Sequence, residues 1–108
     1  MKLEVGMYVR YKNGIGKIVA KYVKGILLDK GKGGYFRTEN VDIIKASHNI
    51  GELLEAGDFL DFHCIEKIED TTIYLTDGWF IDFEDVEDMV ETICTKEQFE
   101  SMSYKVGE

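Results

Sequence analysis

Two histidines and two cysteines are this chain's whole stock of imidazole and thiol, and their spacing argues against chemistry. His48, His63, Cys64 and Cys94 are scattered over 46 residues. A zinc site draws on Cys and His at short spacing. His63 and Cys64 are neighbours in a strand-like stretch and point to opposite faces, so they cannot both ligate one ion. Cys64 has Phe62 and Glu66 as alternating neighbours and reads as a structural thiol. No metal and no other cofactor is expected.

Carboxylates are plentiful: Asp58/Asp61, Glu69/Asp70, Asp82/Glu84/Asp85 and Glu87/Asp88. General acid–base catalysis needs a carboxyl in a dry cleft with a shifted pKa. A small barrel filled by its own side chains offers no such cleft, so these acids read as a solvated face. No G-x-S-x-G elbow or Walker-type loop occurs. Gly14-Ile15-Gly16 and Gly31-Lys32-Gly33-Gly34 read as hairpin turns rather than phosphate cradles. The chain is expected not to be an enzyme.

Two charged constellations remain, and both are binding surfaces in type. The first interleaves Arg10, Lys12, Lys17 and Lys21 with Tyr8, Tyr11 and Tyr22. Cations beside aromatic platforms suit a single nucleic-acid strand, through phosphate neutralisation and base stacking. The second sets Asp82, Glu84, Asp85, Glu87, Asp88 and Glu91 around Trp79, Phe80 and Phe83. Acids at this density imitate a phosphate backbone toward a basic protein surface, and the aromatics supply anchor area.

These constellations belong to halves of opposite charge. Residues 1–50 hold ten Lys/Arg against four Asp/Glu, a balance of +6. Residues 51–108 hold three lysines against seventeen acids, a balance of −14. The net −8 argues against a whole-surface nucleic-acid binder. Opposite charge on two parts of one molecule predicts weak head-to-tail self-association, since such contacts need not close.

The halves repeat. Leu3-Glu4-Val5-Gly6-Met7-Tyr8-Val9 matches Leu54-Glu55-Ala56-Gly57-Asp58-Phe59-Leu60 at an offset of 51. Ile15-Gly16-Lys17-Ile18 aligns with Ile65-Glu66-Lys67-Ile68 at 50, and Glu39-Asn40-Val41 with Glu84-Asp85-Val86 at 45. Tyr35-Phe36 then lies over Phe80-Ile81. Repeats found first set the fold reading. They divide the chain into a basic unit over 1–46, a linker with a short helical turn over 47–53, an acidic unit over 54–94, and a C-terminal helix and tail over 95–108.

Within each unit the period is that of strands. In the first these are Met7–Tyr11, Ile15–Val23, Gly25–Asp29 and Gly34–Thr38. In the second they are Asp58–Phe62, Cys64–Ile68, Thr71–Thr76 and Trp79–Phe83. Asn13-Gly14 and Asp77-Gly78 are hairpin pairs. Glu-Asn-Val and Glu-Asp-Val predict a single 3₁₀ turn before last strands at Asp42–Lys45 and Asp88–Ile93. Asn49 with Glu52, and Thr95 with Gln98, are capping boxes. They open a turn in the linker and a helix over Lys96–Ser103 with Phe99 and Met102 on one face. Candidate core residues are Val5, Val9, Ile18, Ile26, Leu28, Val41, Ile44, Leu60, Ile65, Ile68, Ile73, Leu75 and Val86.

The 108 residues suit one domain or two very small ones. At 44% hydrophobic residues the chain is globular rather than disordered. No apolar run is long enough for a membrane-spanning helix, and no membrane partner is expected. Residues 1–10 lack the order of a secretory signal, which predicts a cytoplasmic protein with reduced thiols. Proline is absent, so charged residues must guard the sheet edges.

Val5-Gly6-Met7-Tyr8-Val9 followed by Ile15-Gly16-Lys17-Ile18 resembles the opening of KOW and Tudor-type SH3-like barrels, although Glu66 replaces the glycine in the second unit. Met1–Arg10, Lys45–Ile50 and Thr95–Ser101 together resemble small phage and prophage proteins of Gram-positive bacteria. These resemblances imply two tandem SH3-like small barrels, a mainly β fold, and a phage accessory role. The expected function is non-catalytic binding of a host or phage protein with a basic surface. Such binding would inhibit a nucleic-acid-handling or defence complex by nucleic-acid mimicry, in the manner of an anti-CRISPR. The expected contact residues are Trp79, Asp82, Phe83, Glu84, Asp85, Glu87, Asp88 and Glu91. The alternative is a KOW-like nucleic-acid module acting through Arg10, Tyr11, Lys12, Lys17 and Lys21.

Overall fold

The computed structural model describes residues 2–12, 14–31, 34–39 and 42–102. Candidate core residue Val41, turn residue Asn13 and the expected helix end at Ser103 lie outside the described residues.

Alternating apolar residues and short turns give ten short strands among the described residues. The first five are β1 (Tyr8–Tyr11), β2 (Gly14–Tyr22), β3 (Gly25–Asp29), β4 (Tyr35–Thr38) and β5 (Ile43–Ser47). The second five are β6 (Phe59–Leu60), β7 (His63–Glu69), β8 (Thr72–Leu75), β9 (Phe80–Asp82) and β10 (Ile93–Cys94). They form two antiparallel sheets ordered β4-β3-β2-β1-β5 and β9-β8-β7-β6-β10, the same path taken twice. The fold is mainly β, as the sequence predicts. Both sheets are open: β4 and β5 are the edges of the first, β9 and β10 of the second, and neither closes into the expected barrel.

The local hydrogen bonds of the repeat correct its alignment. Gly6 N–H donates to the Ile18 carbonyl and Ile18 N–H to that of Met7. Gly57 N–H donates to Ile65 and Ile65 N–H to Asp58 in the same pattern. Gly6 and Gly57 sit at φ +96 and +97, a conformation open to glycine. The match at 51 therefore holds, but Ile18 corresponds to Ile65, not Ile68. Ile26 pairs with Thr38 and Ile73 with Ile81, so Thr38 corresponds to Ile81. The two later sequence matches are thus out of register. The physical cause is that both the β1–β2 hairpin and the β3–β4 connection are longer in the first unit than their counterparts in the second.

Each unit has its own core. Leu3, Val9, Tyr11, Ile18, Ile26 and Leu28 are buried in the first. Leu54, Leu60, Ile65, Ile73, Leu75 and Val86 are buried in the second. Val5 and Ile44, expected in the core, are 57% and 50% exposed. Val5 lies in the turn before β1, and Ile44 takes the outward side of β5 because Ile43 takes the inward one. Ile68 is half-buried at the edge of the second core.

Helical pieces follow both sheets. A 3₁₀ helix over Ile50–Leu53 is opened by Asn49, whose side chain accepts from Gly51 N–H. Glu52 does not return the bond, as its carboxylate accepts from the Ser47 hydroxyl at 2.7 Å. Helix α2 (Lys96–Met102) has the full capping box: Thr95 N–H donates to the Gln98 side chain and Gln98 N–H to the Thr95 hydroxyl. Its Phe99 ring packs on Phe59 at 4.9 Å. The expected 3₁₀ turn and strand over Asp88–Ile93 are replaced by helix α1 (Phe83–Met89), leaving β10 with two residues. Phe83, Val86 and Val90 stand at helical spacing toward the core. Glu84 and Asp85 favour the helix N-terminus.

Candidate functional site

Strand β1 has both faces covered. Val9 and Tyr11 face the first core, so Tyr8 and Arg10 face the second unit. The Arg10 guanidinium, fully buried, donates to both Asp58 carboxylate oxygens at 2.6 and 2.9 Å. It also donates to the Leu53 carbonyl and to Glu97 at 2.8 Å. Asp58, equally buried, further accepts the N–H groups of Glu55 and Lys96. Burial works against the Arg10 charge, but the Asp58, Glu97 and Glu55 carboxylates outweigh it and raise its pKa. Lys96 beside Glu55 holds that carboxyl below its usual range, despite partial burial, with help from Arg10.

This arrangement removes Arg10 and Tyr11 from the nucleic-acid surface that the sequence suggests. Period two along β1 puts Arg10 in the contact between units, and Tyr11 in the core at 4% exposure. Lys12, Lys17 and Lys21 are exposed. Lys21 is engaged with the Leu3 carbonyl at 2.6 Å, and Lys17 stands over the Tyr8 ring. The expected basic set therefore presents three cations and loses its arginine.

The acidic set is divided rather than continuous. Asp82, Glu84 and Asp85 gather where β9 ends and α1 begins, with carboxylate oxygens within 4.8 Å of one another. They are the acids among the described residues that could approach one cation together. Asp82 accepts from the Thr72 hydroxyl instead of capping α1. Phe83 is half-buried against the linker: a Cβ at Gly51 would stand 2.7 Å from the Phe83 Cα. Glu87 faces Tyr8 of the first unit, and burial together with this carboxylate pushes the tyrosine pKa up to about 12. Asp88 and Glu91 are exposed, as is Met89 at 68%. Trp79 is 71% and Phe80 66% exposed, at the other end of β9 from the acids that open α1.

At that other end the strand expected over Asp58–Phe62 is cut short, because β6 stops at Leu60. Asp61 and Phe62 form the two-residue turn between β6 and β7, bracketed by the Leu60–His63 pair. Both are left-handed, at φ +47 and +73, and Phe62 is 92% exposed. Asp61 accepts from Thr92 N–H and hydroxyl and from Glu91 N–H, which draws the end of α1's connection onto the turn. Those bonds, led by Thr92 N–H, hold the Asp61 carboxyl below its usual range. His63 pairs with Asp77 of the β8–β9 turn, so Phe62 and Trp79 share one end of the sheet. The available sequence signal was the short gap between Phe59-Leu60 and His63-Cys64, filled without glycine.

Cys64 and Cys94 flank Phe59 from the two neighbouring strands. His48 approaches Glu4 at 3.2 Å, and Cys64 and Cys94 are free and half-buried. Burial pushes the Cys94 thiol up, away from thiolate reactivity. A half-open cleft of about 430 Å³ separates Lys17 and Lys30 of the first unit from Glu87 and Glu91 of the second, over Ile15 and Val90. Among the described residues no helix is long and apolar enough to cross a membrane. No family model, curated protein or solved structure matches the chain.

Proposed function

We propose that the chain is a non-catalytic binding protein made of two SH3-like units, whose acidic second unit engages a protein with a basic surface. The observation that carries this reading is the exposure of Trp79 and Phe80 where the edge strand β9 begins, a strand that runs directly into a helix with four acids and no base. Large exposed aromatics beside like-signed charge combine anchor area with electrostatic steering. A partner that normally holds nucleic acid presents the matching surface, which fits a phage-type inhibitor acting by mimicry in the cytoplasm.

The test is capture from a Gram-positive bacterial lysate at low and high salt, comparing two variants with the wild type. Replacing Glu84, Asp88 and Glu91 with Gln or Asn should weaken capture of a basic protein and flatten its salt dependence. Replacing Lys12, Lys17 and Lys21 with Gln should leave capture unchanged. If the lysine set abolishes binding and the wild type shifts a labelled single strand at physiological salt, the nucleic-acid module takes the place of this reading.

A further inference from the structure

A tight hairpin turn with both residues left-handed favours Asn-Gly or Asp-Gly, because glycine enters that region without steric cost. This chain has Asp61 followed by Phe62. The ring gains no cover in return, since Phe62 is 92% exposed. A bulky residue at positive φ in open solvent is costly for backbone and side chain alike. Its neighbours define what could repay that cost. Trp79 lies at the same end of the sheet, reached through the His63–Asp77 pair. Asp61, Asp77 and Glu91 supply the charge there, with Glu91 fastened to the turn through its N–H. Lys17 and Lys30, which line the cleft together with Glu91, belong to the first unit.

We propose that the Asp61–Phe62 turn, with Trp79 and Glu91, is the anchor point for an arginine-bearing segment of the protein partner. This rests on the acidic-surface reading above and places its contact at the turn end of the second sheet. A guanidinium stacks on an aromatic face and pairs with a carboxylate at once, which a compact ammonium does less well. Phe62 and Trp79 supply faces, and Glu91 and Asp77 the opposite charge.

Trp79 is the single tryptophan of the chain and reports on this end directly. Its fluorescence is followed while the full-length protein is titrated with a peptide of alternating arginine and glycine, and with the same peptide carrying citrulline for arginine. The arginine peptide should change the signal saturably, and the citrulline peptide should bind about ten-fold or more weakly. Phe62→Gly should lose about ten-fold or more in affinity while its thermal midpoint rises by a few degrees, because glycine relieves the turn. A midpoint that falls instead shows Phe62 to be structural and overturns the inference. Equal binding by wild type and Phe62→Gly, with loss in a double variant carrying Glu84→Gln and Asp88→Asn and keeping Glu91, overturns the turn as the contact and leaves the acidic-surface reading standing. A wild type that binds neither peptide overturns the arginine anchor, and salt-sensitive lysate capture then decides the broader reading separately.

Discussion

Arg10 of the first unit and Asp58 of the second share two hydrogen bonds, at 2.6 and 2.9 Å, with both side chains fully buried. Neither unit could hide its half of this pair alone. An unpaired charge out of water is far less stable than a neutralised one. The pair therefore makes the two repeats one structural body, although each has its own core.

Removing one partner should cost far more than removing both. We expect Arg10→Ala to destabilise by about 3–5 kcal/mol, because it strands the Asp58 carboxylate. An Arg10→Met, Asp58→Leu double variant should recover most of that loss. Urea unfolding of the two single variants and the double variant measures the coupling. Additive losses would place the pair's value elsewhere.

The alkaline limb of stability should depend on Tyr8. Its pKa is raised from 10.0 to about 12, so the folded protein keeps the phenol proton that the unfolded chain releases. Its contribution is complete below 10.0 and drains away as pH rises toward 12. A tyrosinate absorbance titration should show late-ionising phenols, of which the Tyr8 component disappears in Tyr8→Phe. Burial raises Tyr11 as well, and that second late component should survive the substitution.

Acid should act through Asp61 and Glu55. Both carboxyls release their protons more readily when folded, so they add stability above their ordinary values of 3.8 and 4.5. That stability is lost as pH falls through the lower folded values. Denaturation midpoints should decline over this range, and Asp61→Asn should flatten the decline. A wild-type profile unchanged in that variant would assign the acid response to other carboxyls.

Burial decides which apolar truncations matter. Leu53 is 1% exposed and Ile44 50% exposed. We expect Leu53→Ala to cost about 2–5 kcal/mol and Ile44→Ala to remain within about 0.5 kcal/mol of wild type. Denaturant midpoints compare the two directly.

What was legible in the sequence was whatever a local rule could set. Period two gave the strands, with β3 matching residue for residue. Thr95 and Gln98 gave the start of α2, and the Leu3–Val9 repeat located the second unit. Register was not legible, because Ile18 had two similar candidates, Ile65 and Ile68, and only the hydrogen bonds of Gly6 and Gly57 choose between them. The role of Arg10 was hidden for a related reason. Its alternation could show that it faces away from the first core, but not that another unit lies there. Helix α1 was misread because Phe83, Val86 and Val90 are few enough to suit a turn and a strand equally. Phe62 reads as a strand residue in the sequence because turn chemistry predicts glycine at the position it occupies.

The buried pair also bears on the order in which the chain can mature during synthesis. When residues 1–47 have left the ribosome, every strand of the first sheet is available, but Arg10 has none of its acidic partners. Asp58 emerges eleven residues after Ser47, and Glu97 thirty-nine residues after Asp58. Until then the guanidinium must stay in water, and the face of β1 that carries Tyr8 and Arg10 stays wet with it. The first repeat can form its ladder early, yet its outer face becomes dry only when helix α2 arrives. A nascent chain stalled before residue 97 should therefore remain open to protease at the linker, while the released protein resists.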